Sequence, residues 1–176
     1  EKPVLRQKYT RPGMNEKTDS TKNLSEIEKE TGKYLHLDIE PEPDGMIENT
    51  SEFLSFYNDY LLPIACKSIQ EATGIDSEKA QALIYRHITI CYDVCHFSLA
   101  FEAPKDTFAR LKKHHIKVGK IQISSALKII FDTKNNEAIW ESLSTFNEST
   151  YLHQVTEKIN DDVIVYNDLP LVLAKK

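Results

Sequence analysis

The run Lys33-Tyr34-Leu35-His36-Leu37-Asp38-Ile39 sets Leu35, Leu37 and Ile39 on one side and His36 and Asp38 on the other. That period of two predicts a strand. It stops at Glu40-Pro41-Glu42-Pro43, whose prolines cannot continue a central ladder. Before it, residues 20–31 carry Leu24 and Ile27 at helical spacing, and Gly32 stands where a C-terminal helix cap belongs. After it, Phe53, Phe56, Tyr57, Tyr60, Leu61 and Ile64 recur at intervals of three and four and predict a helix from about Thr50. Pro63 kinks or restarts that helix. A second helix over Ser77–Arg86 opens on Asp76 as its N-cap.

The apolar-rich run from His87 to Tyr92 predicts a strand that passes into Asp93-Val94-Cys95-His96. Beyond it the pattern predicts a helix over 105–114, a strand over 116–124, a polar turn over 132–136 and a helix over 137–146. Short strands over 151–156 and 163–166 and a last helix from Leu169 follow. Residues 1–20 are polar with a Pro12-Gly13 turn and no period, and are expected to form an irregular N-terminal connection. Strand and helix alternate throughout, which predicts a parallel β/α architecture within one domain spanning 1–176.

Composition narrows the function. The chain has 40% hydrophobic and 28% charged residues, a net charge of −5, and no basic run longer than a Lys-Lys pair. A protein built to grip a phosphate backbone carries a basic face, so nucleic acid is not an expected partner. No stretch reaches the roughly 18 consecutive apolar residues of a membrane span, so none is expected. Five glycines form no GxGxxG or P-loop pattern, which argues against those nucleotide sites. Cys66, Cys91 and Cys95 are odd in number and follow no disulfide spacing, so a reducing, cytoplasmic setting is expected. The start at Glu1, with neither methionine nor a signal-peptide pattern, suggests a piece of a longer chain.

Chemistry in parallel β/α folds gathers at the C-terminal ends of strands. Glu40 and Glu42 end the first predicted strand, Asp93 and His96 the second, Gln122 the third, and His153-Gln154 the fourth. Polar groups at a sheet mouth are costly unless partnered, so this repetition points to a ligand. Carboxylates with amide or imidazole partners suit a divalent ion such as Mn²⁺, Mg²⁺, Co²⁺ or Zn²⁺.

Cys91-Tyr92-Asp93-Val94-Cys95-His96 resembles the Asp-x-Cys-His strand end of the xylose-isomerase-like TIM-barrel superfamily, which includes sugar and sugar-phosphate isomerases and epimerases and the endonuclease IV enzymes. Residues 37–50, 119–127, 151–155 and 166–170, in that order, are similar to the barrel family of the ebo metabolite-traffic gene cluster. The resemblance implies a parallel (β/α) barrel, here incomplete, with about four to five β/α units. It implies Glu40 and Asp93 as metal carboxylates and Gln122 at a position where many members ligate through histidine. His96 and Glu40 are the implied catalytic residues, with His153, Gln154 and Glu42 toward substrate. The closing glutamate and the early strands of a full barrel have no counterpart, so a missing barrel half or a homo-oligomer is an expected partner.

Plainer readings stand beside these. Glu40 also reads as a surface carboxylate after a strand, Glu42 as a structural residue, Gln122 as a group satisfying backbone at the sheet mouth, and His153 as a core histidine. Cys95 reads as a small buried filler, His36 and His87 as structural, and His114-His115 as a solvated helix end. The leading expectation is a metal-dependent barrel of the isomerase or epimerase class acting on a small polyhydroxylated or phosphorylated metabolite. A non-catalytic binding or scaffolding barrel is the alternative, and an endonuclease IV-like hydrolase a minor one.

Overall fold

The computed structural model describes residues 12–131, 136–150, 153–160 and 162–175. Helix α1, Pro12–Thr31, opens on a proline and ends at Gly32, which adopts φ +71° and donates its N–H to the Glu28 carbonyl. Only a residue without a Cβ takes that left-handed turn at no cost. The irregular connection expected over 1–20 is therefore corrected from Pro12 onward, while residues 1–11 lie outside the described residues. Periodicity missed this first stretch because it carries no apolar stripe, whereas proline at the first helical position is favourable.

Strand β1 is Leu37–Ile39, shorter than the predicted run. Its partner begins only at Ile88, so residues 33–36 have no strand beside them. Helix α2, Thr50–Ser55, is capped by the Asn49 side chain, which accepts from the Glu52 N–H at 3.0 Å. A π-helical segment, Phe56–Leu61, then leads into helix α3, Leu62–Thr73. The Leu62 N–H bonds the Tyr57 carbonyl, five residues back. Widening the helix there accommodates Pro63, which lacks a donor and crowds the preceding turn. The predicted kink is thus a π insertion that keeps the apolar stripe on one face.

Helix α4, Ser77–His87, is capped by Asp76, whose carboxylate accepts from the Lys79 N–H at 2.8 Å. Strand β2, Ile88–Asp93, is buried at every position. Helix α5, Val94–Leu99, follows it directly, and helix α6, Pro104–Lys113, leads to strand β3, Val118–Gln122. The strands pair in parallel in the order β1-β2-β3. Between β2 and β3 the register slips, with Ile90 opposite Val118 and Cys91 opposite Lys120. Gly119 is the extra residue of this bulge. A Cβ on it would collide with Asp38 Oδ1 and Thr89 Oγ1, so only hydrogen fits.

Pleating gives the sheet two faces. One carries Ile88, Ile90 and Tyr92, which join Phe53, Tyr57, Leu61, Ile69 and Ile84 in a single buried cluster. Helix α1 lays Thr21 and Ser25 into the molecule and holds Arg86 through Glu28. The opposite face carries Asp38, Thr89, Cys91, Asp93, Lys120 and Gln122.

The remaining elements depart from a continuing barrel. Helix α7, Asn136–Ser144, precedes strands β4, Val155–Ile159, and β5, Asp162–Tyr166, which pair antiparallel, and helix α8, Leu169–Leu173, ends the description. The short connection after Ile159, with Asn160 at φ +56°, makes a hairpin. Parallel neighbours need about a dozen connecting residues or more, so these strands cannot extend the parallel sheet in succession. The fold is α/β with a parallel three-stranded sheet and a small antiparallel one. Among the described residues the parallel sheet holds three strands and no barrel closes; the expected fourth parallel strand is instead part of the antiparallel hairpin.

Candidate functional site

Three strand ends on the polar face converge. Glu40 follows β1 directly, Asp93 is the last residue of β2, and Gln122 the last of β3, paired in register with Asp93. Parallel pairing in sequence order is what brings residues so distant in the chain to one edge. Gln122 Nε2 donates to Glu40 Oε1 at 2.7 Å and to Asp93 Oδ2 at 2.8 Å. Lys120 Nζ donates to Gln122 Oε1 at 2.9 Å.

Asp93 does two things at once. It is the N-cap of α5, and its Oδ1 accepts the Cys95 N–H at 2.9 Å and the Ser124 hydroxyl at 2.5 Å. The other oxygen faces Gln122. Asp93 is only 6% exposed. Burial alone would push its carboxyl up, but the donors Ser124 and Cys95, with the His96 ring nearby, outweigh it and bring the carboxyl down to about 2. A charged carboxylate is therefore fixed in place with one oxygen tied down and one directed at the mouth.

His96 sits one turn into α5. Its Nδ1 lies 3.2 Å from the Pro41 carbonyl and 3.4 Å from Glu40 Oε1. A carbonyl only accepts, so Nδ1 is the donor toward Pro41, which holds the ring against the loop after β1. Asp93, Cys95 and His96 also bring one ligand atom each within 4.8 Å of one another. Below them, Cys91 is buried beside Glu40, Asp38 and Asp93. Burial, and then the negative charge of Glu40, pushes its thiol up to about 11 even with Lys120 opposing. Cys91 is a buried thiol at neutral pH and no nucleophile.

Deeper in the same face, Asp38 Oδ1 accepts from the Thr89 hydroxyl and lies 2.9 Å from His36 Nδ1. His36 is thus tied to Asp38. His87 is fully buried with Nδ1 2.8 Å from the Leu35 carbonyl.

The structure joins Glu40, Asp93, Gln122 and His96 in one cluster and sets the other predicted residues apart from it. Glu42 is exposed and its backbone closes the turn to Ile47 and Gly45. His153 lies before β4 and not at the end of a parallel strand; its Nε2 is 3.5 Å from Glu148, and its backbone N–H bonds Asp168. Gln154 also precedes β4, and its Nε2 donates 2.8 Å to the Pro43 carbonyl, tying the hairpin to the loop that borders the cluster. The fourth strand end of the sequence reading is corrected on that point, because β4 begins at Val155 and runs antiparallel to β5.

Lys120 and Ser124 were not singled out as site residues from sequence. Both lie two residues from Gln122, and the same period of two that marked the strand puts all three on one face. No helix among the described residues is long and apolar enough to cross a membrane. No family model, no curated protein and no solved structure matches this chain.

Proposed function

We propose that the strand-end cluster is a divalent-cation site, held by Glu40, Asp93 and Gln122, in a metal-dependent protein of the sugar isomerase or epimerase class. The supporting observation is the pair of carboxylates brought by adjacent parallel strands onto a single polar group, the Gln122 amide. The donor types suit such an ion once the Gln122 amide turns, because it now directs Nε2 and not Oε1 at the two carboxylates. Asp38, Glu40 and Asp93 outnumber Lys120 on this face, and carboxylate with amide oxygen suits Mg²⁺, Mn²⁺, Co²⁺ or Zn²⁺. A divalent ion held by these residues would supply Lewis-acid polarisation of the vicinal oxygens of a small polyhydroxylated or phosphorylated metabolite.

The chain's own residues supply the rest. Asp93 stays charged because Ser124 and the Cys95 N–H hold Oδ1. Glu40, half-buried beside His96, is the group placed to carry a proton to or from substrate, and His96 orients it. Gln154 reaches the rim through its bond to the Pro43 carbonyl, and Glu42 lies exposed on the same loop. Three parallel strands in chain order correspond to one wall of a (β/α) barrel. Among the described residues β1 and β3 are edge strands, and with Ile121 and Ile123 exposed they suit completion by further strands or a second copy. Three free cysteines suit a reducing cytoplasm.

Elemental analysis of the purified protein tests this reading. Stoichiometric divalent metal, lost in a folded Asp93→Asn variant, is expected. Metal-free protein that also takes up none on addition of Mn²⁺ or Zn²⁺ would overturn it. A second reading, a metabolite-binding or scaffolding barrel without turnover in a traffic pathway, is favoured by the fact that Gln122 already satisfies both carboxylates from within. Saturable binding of sugar phosphates with no conversion, by metal-free protein, is its expected signature.

A further inference from the structure

The orientation of the Gln122 amide is determined by what surrounds it. Lys120 Nζ can only donate and lies 2.9 Å from Oε1. The carboxylates of Glu40 and Asp93 only accept, and they lie 2.7 and 2.8 Å from Nε2. Three bonds agree on one orientation, and the reverse would set donor against donor and acceptor against acceptor at once. The amide nitrogen thus stands between the two carboxylates, where a bound cation would have to stand. Lys120 polarises Oε1 from the other side, which strengthens the two N–H donors.

We propose that Lys120 and Gln122 form an internal surrogate cation, in which Lys120, by fixing the Gln122 amide, sets how tightly the Glu40–Asp93 pair takes up a divalent ion. The proposal rests on the metal reading above. For Gln122 to offer its oxygen toward the carboxylates, the amide has to rotate. Rotation breaks the Lys120 bond and turns Nε2 toward Nζ. Lys120 therefore opposes ion uptake through Gln122, in addition to whatever its charge does through space. It is a positioning residue, since it reaches the carboxylate pair only through the amide.

The two routes separate in a double-mutant cycle. Calorimetric titration with Mn²⁺ alone, at high salt where repulsion between exposed charges is screened to a few ångströms, compares the native chain with Lys120→Met, Gln122→Ala and the double variant. Circular dichroism melting checks that each is folded, and Lys120→Gln serves as a second replacement. Lys120→Met is expected to tighten Mn²⁺ binding roughly tenfold in the native background, the worth of a charge-assisted hydrogen bond. In the Gln122→Ala background the same change is expected to leave affinity within about twofold, because the amide it acts through is gone. An equal gain in both backgrounds overturns the surrogate-cation proposal and leaves the metal reading standing. Absence of binding in all four folded proteins, with Mn²⁺ and on repetition with Zn²⁺, removes the metal reading, and this proposal with it.

Discussion

The two faces of the three-stranded sheet share the same backbone and meet opposite demands. On the helix side, Ile88, Ile90 and Tyr92 bury against Phe53, Tyr57, Leu61 and Ile84, and the requirement is volume. On the other side, Thr89, Cys91 and Asp93 are buried as deeply, and there the requirement is partners. Asp93 is surrounded by Ser124, the Cys95 N–H and Gln122, and Thr89 donates to Asp38. An apolar face tolerates many sequences of similar size, whereas a polar face of this depth tolerates few, because each lost partner strands another group. The helix face therefore carries most of the stability, and the polar face carries the arrangement available for chemistry.

The largest test of that division is Phe53→Ala. Phe53 is fully buried in the cluster, and its truncation is expected to destabilise by about 3–5 kcal/mol in denaturant unfolding. A loss below about 1 kcal/mol would show that the helix face is not the stabilising one. Next is Gly119→Ala. The new Cβ would meet Asp38 and Thr89 on the polar face, and about 2–3 kcal/mol is expected to be lost. Unchanged stability would mean that the bulge yields freely and that the polar face is loosely held.

The third test uses pH. The Asp93 carboxyl sits at about 2 in the fold against an ordinary value of 3.8. A group depressed in this way adds stability that is fully present above its unfolded value and is lost as pH falls through its folded one. On the order of 2 kcal/mol is expected to disappear between about pH 4 and pH 2 in the native protein, and not in Asp93→Asn. Parallel acid profiles for the two proteins would place the stabilising charge elsewhere. The smallest test lies off both faces. Asp76→Ala removes the α4 cap and is expected to lower the unfolding midpoint slightly while leaving any metal content unchanged. Loss of metal there would show that the faces are coupled through α4.

Parts of this arrangement were open to reading from residues alone. Asp76 as a cap, Gly32 as a helix stop, and the stripe from Phe53 to Leu61 follow from local rules that act within one turn. Glu40, Asp93, His96 and Gln122 were visible as polar residues after apolar runs. The π insertion ahead of Pro63 was not, because proline specifies that a helix must adjust and leaves open how. The antiparallel hairpin was not visible either, since alternating residues look alike in parallel and antiparallel strands until the connection is known. The expectation of a fourth parallel strand ending in His153-Gln154 failed for that reason.

The sequence by itself determined the Asp76 cap and the Gly32 stop, which strand side is apolar, and which polar residues follow the first three strands, because those properties are local and periodic. Tertiary structure alone decided that Glu40 and Asp93 share one amide, that Lys120 fixes that amide's direction, and that Gly119 must lack a side chain. Each of those depends on the register between strands separated by tens of residues. Register is set by packing across the whole sheet, and no short stretch of sequence encodes it.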